Sequence, residues 1–238
     1  SATVNAELHS LANRANNLPS PSLELRTRLC DDLGLDTDEL PFAGELIQVR
    51  DDAQEWEGAA ERVLRGFALS LLVPDQHYER IARWIDEHHL GTRLVYFRVP
   101  SRSSLGDLHR STTQPLLLDM VEVRADSTFE PWIRSELQRR ADHACVGTIA
   151  ELRGEAKAVT RDGTVKSRDR HEKDDRHRIG DRRQYVLGWS NQAKIDALVD
   201  EAQRLAGALA PVTARIDELR ARQRSLDDTR RDLGIIAN

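Results

Sequence analysis

The chain has 238 residues, of which 32% are charged and only 5% aromatic, with a net charge of −5. Such a balance fits a globular core carrying projecting charged helices better than one compact ball, whether the core is one large domain or two small ones. The negative net charge excludes a protein that coats nucleic acid over its whole surface, but it leaves room for a local basic patch.

In chain order, the first element is a helix from about Thr3 to Leu18, with Val4, Leu8, Leu11, Ala15 and Leu18 at heptad spacing. Pro19-Ser20-Pro21 stops it, and Ser20 or Ser22 is expected to cap a second helix that reaches Leu33 and ends at Gly34. These two helices read as one arm over residues 1–35, bent at the prolines. A globular part follows over 40–190. Gly44–Val49 is a short strand, Gln54–Gly66 an amphipathic helix, and Ala68–Val73 a buried-type strand. Pro74 is placed to start a helix that runs to about Leu90 before Gly91, and Arg93–Val99 is a strand closed by Pro100.

After a Ser-, Thr- and Gly-rich loop over Ser101–Gln114, the pattern starts again. Leu116–Val123 is apolar, Phe129–Gln138 helical, His143–Gly147 a short strand, Thr148–Arg153 a short helix, and Glu155–Thr160 a strand turning at Asp162-Gly163. The two stretches overlay at an offset of 73: Trp56 meets Phe129, Leu64 meets Leu137, Ala68 meets Ala141 and Val73 meets Val146. Val49-Arg50 and Val123-Arg124 match within one residue. Strands and helices alternating in this way imply an α/β core of two pseudo-repeated halves, about 40–100 and 115–190, with mainly parallel crossovers.

Residues 161–183 are polar throughout, Tyr185–Trp189 returns to the core, and Asn191 is placed to cap a long last helix in the arm over 191–238. Ile195, Leu198, Ala202, Leu205, Leu209, Val212, Ile216, Leu219 and Leu226 make a heptad seam there, on a helix on the order of 60 Å long. The expected partner is the first helix, in an antiparallel coiled coil. Pro211 inside the seam should bend the rod. A pattern that begins mid-helix at Ser1 reads as a segment excised from a longer protein. Cys30 and Cys145 are too few and too far apart for a disulfide framework or a thiolate metal site, which points to a reducing cytosol. No apolar run is long enough to span a membrane, and no signal segment opens the sequence.

Several strings resemble one family. They are L-P-F-A-G-E-L-I-Q-V (Leu40–Val49), E-W-E-G-A-A-E-R-V-L (Glu55–Leu64), L-S-L-L-V-P (Leu69–Pro74), H-L-G-T-R-L-V-Y-F-R-V (His89–Val99), R-H-E-K-D-D-R (Arg170–Arg176) and Y-V-L-G-W-S-N (Tyr185–Asn191). With the order arm, two α/β halves, returning arm, the chain resembles the hinge domain of SMC (structural maintenance of chromosomes) ATPases. It is most similar to the SMC-like subunit of Wadjet anti-plasmid systems, the JetC/EptC/MksB type, related to MukB. The resemblance implies an SMC-hinge-like α/β domain that homodimerises at the far end of the arms of a DNA-loop-extruding ATPase. It also implies double-stranded DNA, kleisin-like and other complex subunits, and a nuclease as partners, at the nucleoid. One departure is plain: the glycine-rich stretch of ordinary hinges is replaced by the charged Lys166–Arg183 segment. No G-x-x-x-x-G-K-[ST] occurs, so no phosphate cradle is expected here, and neither a cofactor nor catalysis.

The candidate DNA contacts are Lys166, Arg168, Arg170, Lys173, Arg176, Arg178, Arg182 and Arg183, because closely spaced cations neutralise successive phosphates without reading sequence. Interleaved Asp169, Glu172, Asp174, Asp175 and Asp181 support the other reading, a mixed-charge solvated loop. Asp174-Asp175 and His171-Glu172 lack a second cluster at ligand spacing, so they read as surface rather than a metal or acid–base site. His88-His89 sits at a helix end where a cation suits the dipole, and Trp56, Trp84, Trp132 and Trp189 read as packing. Dimerisation by edge-strand pairing points to Val95, Phe97 and Val159, on the strands that close the two halves. Two other classes stay open: a coiled-coil scaffold that binds protein rather than DNA, and an α/β enzyme with helical appendages.

Overall fold

The computed structural model describes residues 2–12, 14–101 and 112–236. Helix α1 (Ala2–Ala12) is followed by an extended stretch and by α2 (Ser20–Leu33). The first half then runs β1 (Ile47–Val49), α3 (Glu57–Ala68), β2 (Ser70–Pro74), α4 (Tyr78–Glu87) and β3 (Val95–Val99). The second runs β4 (Val121–Val123), α5 (Glu130–Arg140), β5 (Ala144–Val146), α6 (Ile149–Gly154), β6 (Lys157–Thr160), β7 (Val165–Ser167) and β8 (Arg170–Glu172). Helix α7 (Gln192–Ile236) closes the chain. The expected loop over Ser101–Gln114 lies largely outside the described residues.

The halves repeat each other in several specific bonds. In the first, Leu72 N donates to Pro41 O at 2.8 Å; 73 to 74 residues later, Cys145 N donates to Pro115 O at 2.8 Å. Glu45 accepts from Phe42 N as Asp119 accepts from Leu116 N, each carboxylate closing a short 3₁₀ turn. Arg50 pairs with Asp52 as Arg124 pairs with Asp126. The offset is 74 up to these aspartates and 73 from Trp56 and Phe129 onward, so the odd residue lies in the turn before each central helix.

Strands β1 and β4 pair antiparallel about Gln48 and Glu122, which relates the halves by a pseudo-twofold axis. The reciprocal bonds Arg50 N to Met120 O and Arg124 N to Leu46 O, both 3.0 Å, flank that pair. Each half contributes one parallel pair, β2 with β3 and β5 with β6, as crossovers through α4 and α6 require. A single apolar core crosses the axis, with Ile47, Leu64 and Leu72 from the first half and Leu117, Ile133 and Val159 from the second all fully buried. At about 1.5–3 kcal/mol for each such side chain, this shared core makes the two halves one folding body.

Several boundaries differ from expectation. Helix α1 ends at Ala12 rather than Leu18, because Asn16 and Asn17 take their hydrogen bonds elsewhere and Leu18, fully buried, enters the body's core. Neither Ser20 nor Ser22 caps α2; Pro19 holds the N-cap position in an extended conformation, with no side-chain bond. Gly34 does close α2, at φ +63°, with Gly34 N and Leu35 N returning to Asp31 O and Cys30 O. Leu25, Leu29 and Cys30 of α2 join the main core, Trp84 donates to Asp32 at 3.0 Å and Arg80 to Leu33 O at 2.7 Å. The expected arm over 1–35 is thus shorter, with α2 part of the body. Helix α4 stops at Glu87, three residues early, where the His88 ring donates to Trp84 O at 2.7 Å and stacks on the Trp84 ring. That bond satisfies one of the last helical carbonyls.

The arm is antiparallel at its root, where Leu11 meets Asn191 and Glu7 meets Lys194. Leu11 is buried, Leu8 and Leu205 are half-buried, and Leu198 is 5% exposed. From residue 206 to residue 231, α7 is exposed: Leu209 is 57%, Val212 54% and Ile216 43% accessible. An 11-residue helix spans only about 16 Å of a 45-residue helix about 67 Å long, so α1 covers the root alone. Pro211 lies inside α7, whose helical assignment continues through it.

Candidate functional site

The charged segment is folded rather than a free loop. Thr160 and Gly163 close a turn at Asp162-Gly163, with Gly163 at φ +75°, and the chain returns as β7 beside β6 and then as β8. Sequence reading missed this hairpin because β7 carries a single apolar residue, Val165, and β8 is exposed and charged, so neither shows apolar alternation. Ile179 anchors the rest. Its side chain lies where a Cβ on Gly58 or Gly163 would stand, at 2.6 and 2.5 Å, its carbonyl accepts from the Tyr185 hydroxyl at 2.6 Å, and Arg62 donates to His177 O at 2.7 Å.

Carboxylates occupy half of the candidate DNA contacts. Arg170 pairs with Glu172, Arg176 binds Asp174 through two bonds of 2.9 and 2.7 Å, Arg182 meets Glu57 at 2.9 Å, and Arg183 bridges Asp181 and Glu201. Hydrogen bonds from Arg176 hold the Asp174 carboxyl well below the usual carboxylate range, with Arg62 adding to them at 3.2 Å. Water reaches and screens these pairs, so they shape the segment more than they stabilise it. Lys166 donates to Arg153 O at 2.8 Å, and Arg168 occupies the β7–β8 turn at φ +55°. Together with exposed Lys173 and Arg178, these two have no carboxylate partner among the described residues. Asp174 is committed to arginines, and among the described residues no three His, Cys, Asp or Glu side chains are placed to hold a metal ion. Trp56, Trp84 and Trp132 are buried packing residues, and Trp189 is half-buried.

The two sheet edges differ in chemistry. Strand β3 pairs only with β2, so among the described residues its outer edge is free, and Val95 and Phe97 on it are half-buried. Phe97 packs on Phe67 and Trp132 at 5.8 and 5.6 Å, with the Arg140 guanidinium over it at 5.1 Å. Val159 is not on an edge. It is fully buried in β6, between β5 and β7, because the hairpin adds two strands beyond the strand that was expected to close the second half. The free edge of the second half is β8, whose Arg170, His171 and Glu172 are all exposed.

The arm root holds the densest buried polar cluster, which sequence reading did not find. Glu61 of α3 is 6% exposed and accepts from Val186 N and Leu187 N at 2.9 and 2.7 Å through one oxygen. Burial pushes its carboxyl up to about 7. Lys194, also 6% exposed, donates to Asn17 O at 2.7 Å and Tyr185 O at 3.2 Å, and burial pushes its ammonium down to about 8. Asn17 and Asn191 donate across the same junction, to Leu187 O and Leu11 O. The only signals for this cluster were an Asn pair that breaks the first heptad and a lysine next to the seam.

No family model matches the sequence, and a comparison with curated proteins found no match. Solved structures do match. The Geobacillus stearothermophilus SMC hinge domain, solved as an asymmetric dimer, overlays with a TM-score of 0.51 at 16% identity, over 88% of this chain and 84% of that one. The fold is that of an SMC hinge domain. A structure described as the folded elbow of cohesin gives a TM-score of 0.53 at 16% identity, over 97% of this chain and 34% of the other. The Pyrococcus furiosus Smc hinge domain with an extended coiled coil aligns over 92% of this chain and 79% of that one, at 19% identity and a TM-score of 0.47. In this hinge fold the paired halves form the body, and both arms leave it at the junction of Asn17 and Asn191.

Proposed function

We propose that this chain is the hinge of an SMC-like motor, joining two copies at the ends of their arms. The observation that carries this reading is the combination of two pseudo-twofold α/β halves, an arm whose two helices run antiparallel from one root, and a free edge strand on each half. An unpaired row of backbone N–H and C=O groups is a template for a second chain. Strand β3, apolar and half-buried, is the better template, while charged β8 is guarded. The dimer contact therefore includes Val95 and Phe97 and excludes buried Val159. Val95→Lys should shift sedimentation of the protein from dimer toward monomer; an unchanged dimer would remove β3 from the interface.

The hinge is also proposed to contact double-stranded DNA, through Lys166, Arg168, Lys173 and Arg178 rather than through the arginines already paired with carboxylates. Replacing these four with Glu should weaken binding to plasmid DNA and lower its salt slope by about 0.9 for each phosphate no longer neutralised. An unchanged slope would remove the segment as a DNA site. The strings R-H-E-K-D-D-R and Y-V-L-G-W-S-N favour a Wadjet-type parent that acts with kleisin-like subunits and a nuclease against plasmids, over a MukB-like role in chromosome segregation. The reading that competes with DNA contact is a protein-binding scaffold, favoured by the carboxylate pairing of Arg170, Arg176, Arg182 and Arg183.

A further inference from the structure

We propose that the return segment from Gln184 to Asn191 is a rigid coupling piece that fixes the direction of both arm helices to the first half of the body. The inference concerns one chain and stands whether or not the protein dimerises or binds DNA.

On its body side the segment is held at four of its eight residues, Gln184, Val186, Leu187 and Gly188. Val186 N and Leu187 N donate to Glu61, Gly188 N donates to Gly44 O at 3.0 Å and to Ile47 O at 2.8 Å, and Arg65 donates to Gln184 O. Glycine is required twice, once by close approach and once by backbone conformation. A Cβ on Gly44 would stand 2.7 Å from Val186 O, and Gly188 sits at φ +110°.

The arm side holds the same segment from the other direction. Leu187 O and Ser190 O accept from Asn17 at 2.7 and 3.1 Å, and Tyr185 O accepts from Lys194. Asn191 reaches from the start of α7 to Leu11 O at 2.8 Å and Arg14 O at 2.5 Å, at the end of α1. Leu187 is thus bonded to α3 through its N–H and to the arm through its carbonyl.

Charge reinforces the joint. Glu7 of α1 is the carboxylate that faces two inner cations, Arg14 just beyond α1 at 2.8 Å and Lys194 of α7 at 3.8 Å, so one carboxylate ties α1 to the stretch that follows it and to α7. Arg14 Nε, Asn17 Oδ1 and the second oxygen of Glu61 are buried without a partner among the described residues, so the network is not fully satisfied. Every one of its side chains is nonetheless held by at least one bond, and bonds from both sides of the segment restrict its geometry. A turn that merely let the arms pivot would need none of it.

The test uses the full chain with spin labels at Glu87→Cys on α4 and Gln203→Cys on α7, both exposed positions, diluted with unlabelled chain so that only intramolecular distances are read. The native cysteines are buried. The parent should give one narrow distance distribution. Asn17→Ala combined with Asn191→Ala should broaden it, while a control pair within the body, Glu87→Cys with Arg139→Cys, stays narrow. An arm distribution as narrow as the parent's, or equal broadening of the control pair, would overturn the coupling. If the double variant fails to fold, Lys194→Met, which keeps an unbranched side chain one atom shorter and loses the two hydrogen bonds, is read by the same two outcomes.

Discussion

Glu61 gives the sharpest stability prediction. Its carboxyl is held near pH 7 rather than 4.5 by burial, and one oxygen serves two backbone N–H groups. At about 1.4 kcal/mol per pKa unit, keeping Glu61 ionised costs about 3 kcal/mol above pH 7. The sign follows from proton uptake. Between pH 4.5 and 7 the folded chain holds the proton more tightly than the unfolded chain, so this contribution lowers stability as pH rises through that window. Glu61→Gln keeps an acceptor for both N–H groups and removes the charge. The variant should therefore match or exceed the parent near pH 8, and its advantage should shrink by up to about 3 kcal/mol on going down to pH 4.5. Glu61→Ala removes the acceptor as well and leaves two buried N–H groups unpaired, at about 1–3 kcal/mol each. It should be the least stable of the three at pH 4.5, where the parent carries no charge penalty. Urea unfolding of all three proteins at several pH values reads these differences, and other carboxylates cancel in the comparison. A parent-minus-Gln difference that is flat from pH 4.5 to 8 would refute the reasoning.

Two further predictions concern the arm. Burial lowers the Lys194 ammonium from 10.5 to about 8, so between those values the unfolded chain binds more protons and stability rises with pH. Lys194→Met should abolish that rise, measured as the difference between the two proteins' unfolding free energies from pH 7.5 to 10; equal slopes would show that Lys194 is not the titrating group. Leu198→Asp, at a position 5% exposed, should cost about 3 kcal/mol or more, whereas Leu219→Asp, 49% exposed, should stay within about 0.5 kcal/mol of the parent. Similar losses at both positions in thermal melts would mean that the outer seam is covered.

Much of the body was legible because the signals there are local and periodic. The repeat rested on apolar spacing at an offset of 73 and on a Val-Arg dipeptide within one residue of it, and the structure returns it as equivalent hydrogen bonds, Leu72 N to Pro41 O and Cys145 N to Pro115 O. What escaped was whatever depends on long-range polar contacts. Nothing around Ser20 signals that Pro19 holds the N-cap instead, and the heptad at Ala15 and Leu18 gave no hint that Leu18 turns into the core. Val159 looked like an edge residue because the short strands β7 and β8, with one apolar residue between them, were not visible as strands. The DNA candidates were chosen by charge alone, and Glu57, 125 residues before its partner Arg182, could not be foreseen as a competitor for that arginine. The arm-root network is the extreme case. Its members are ordinary residues whose chemistry arises only when residues 11–17 and 184–194 meet.

Light scattering coupled to size exclusion, run across micromolar concentrations, tests the hinge assignment most directly. A chain of 27.0 kDa that dimerises should elute as one species of twice that mass, with Val95→Lys moving it toward the single mass. A mass of 27.0 kDa that persists to the highest concentration would contradict the account of this chain as a hinge.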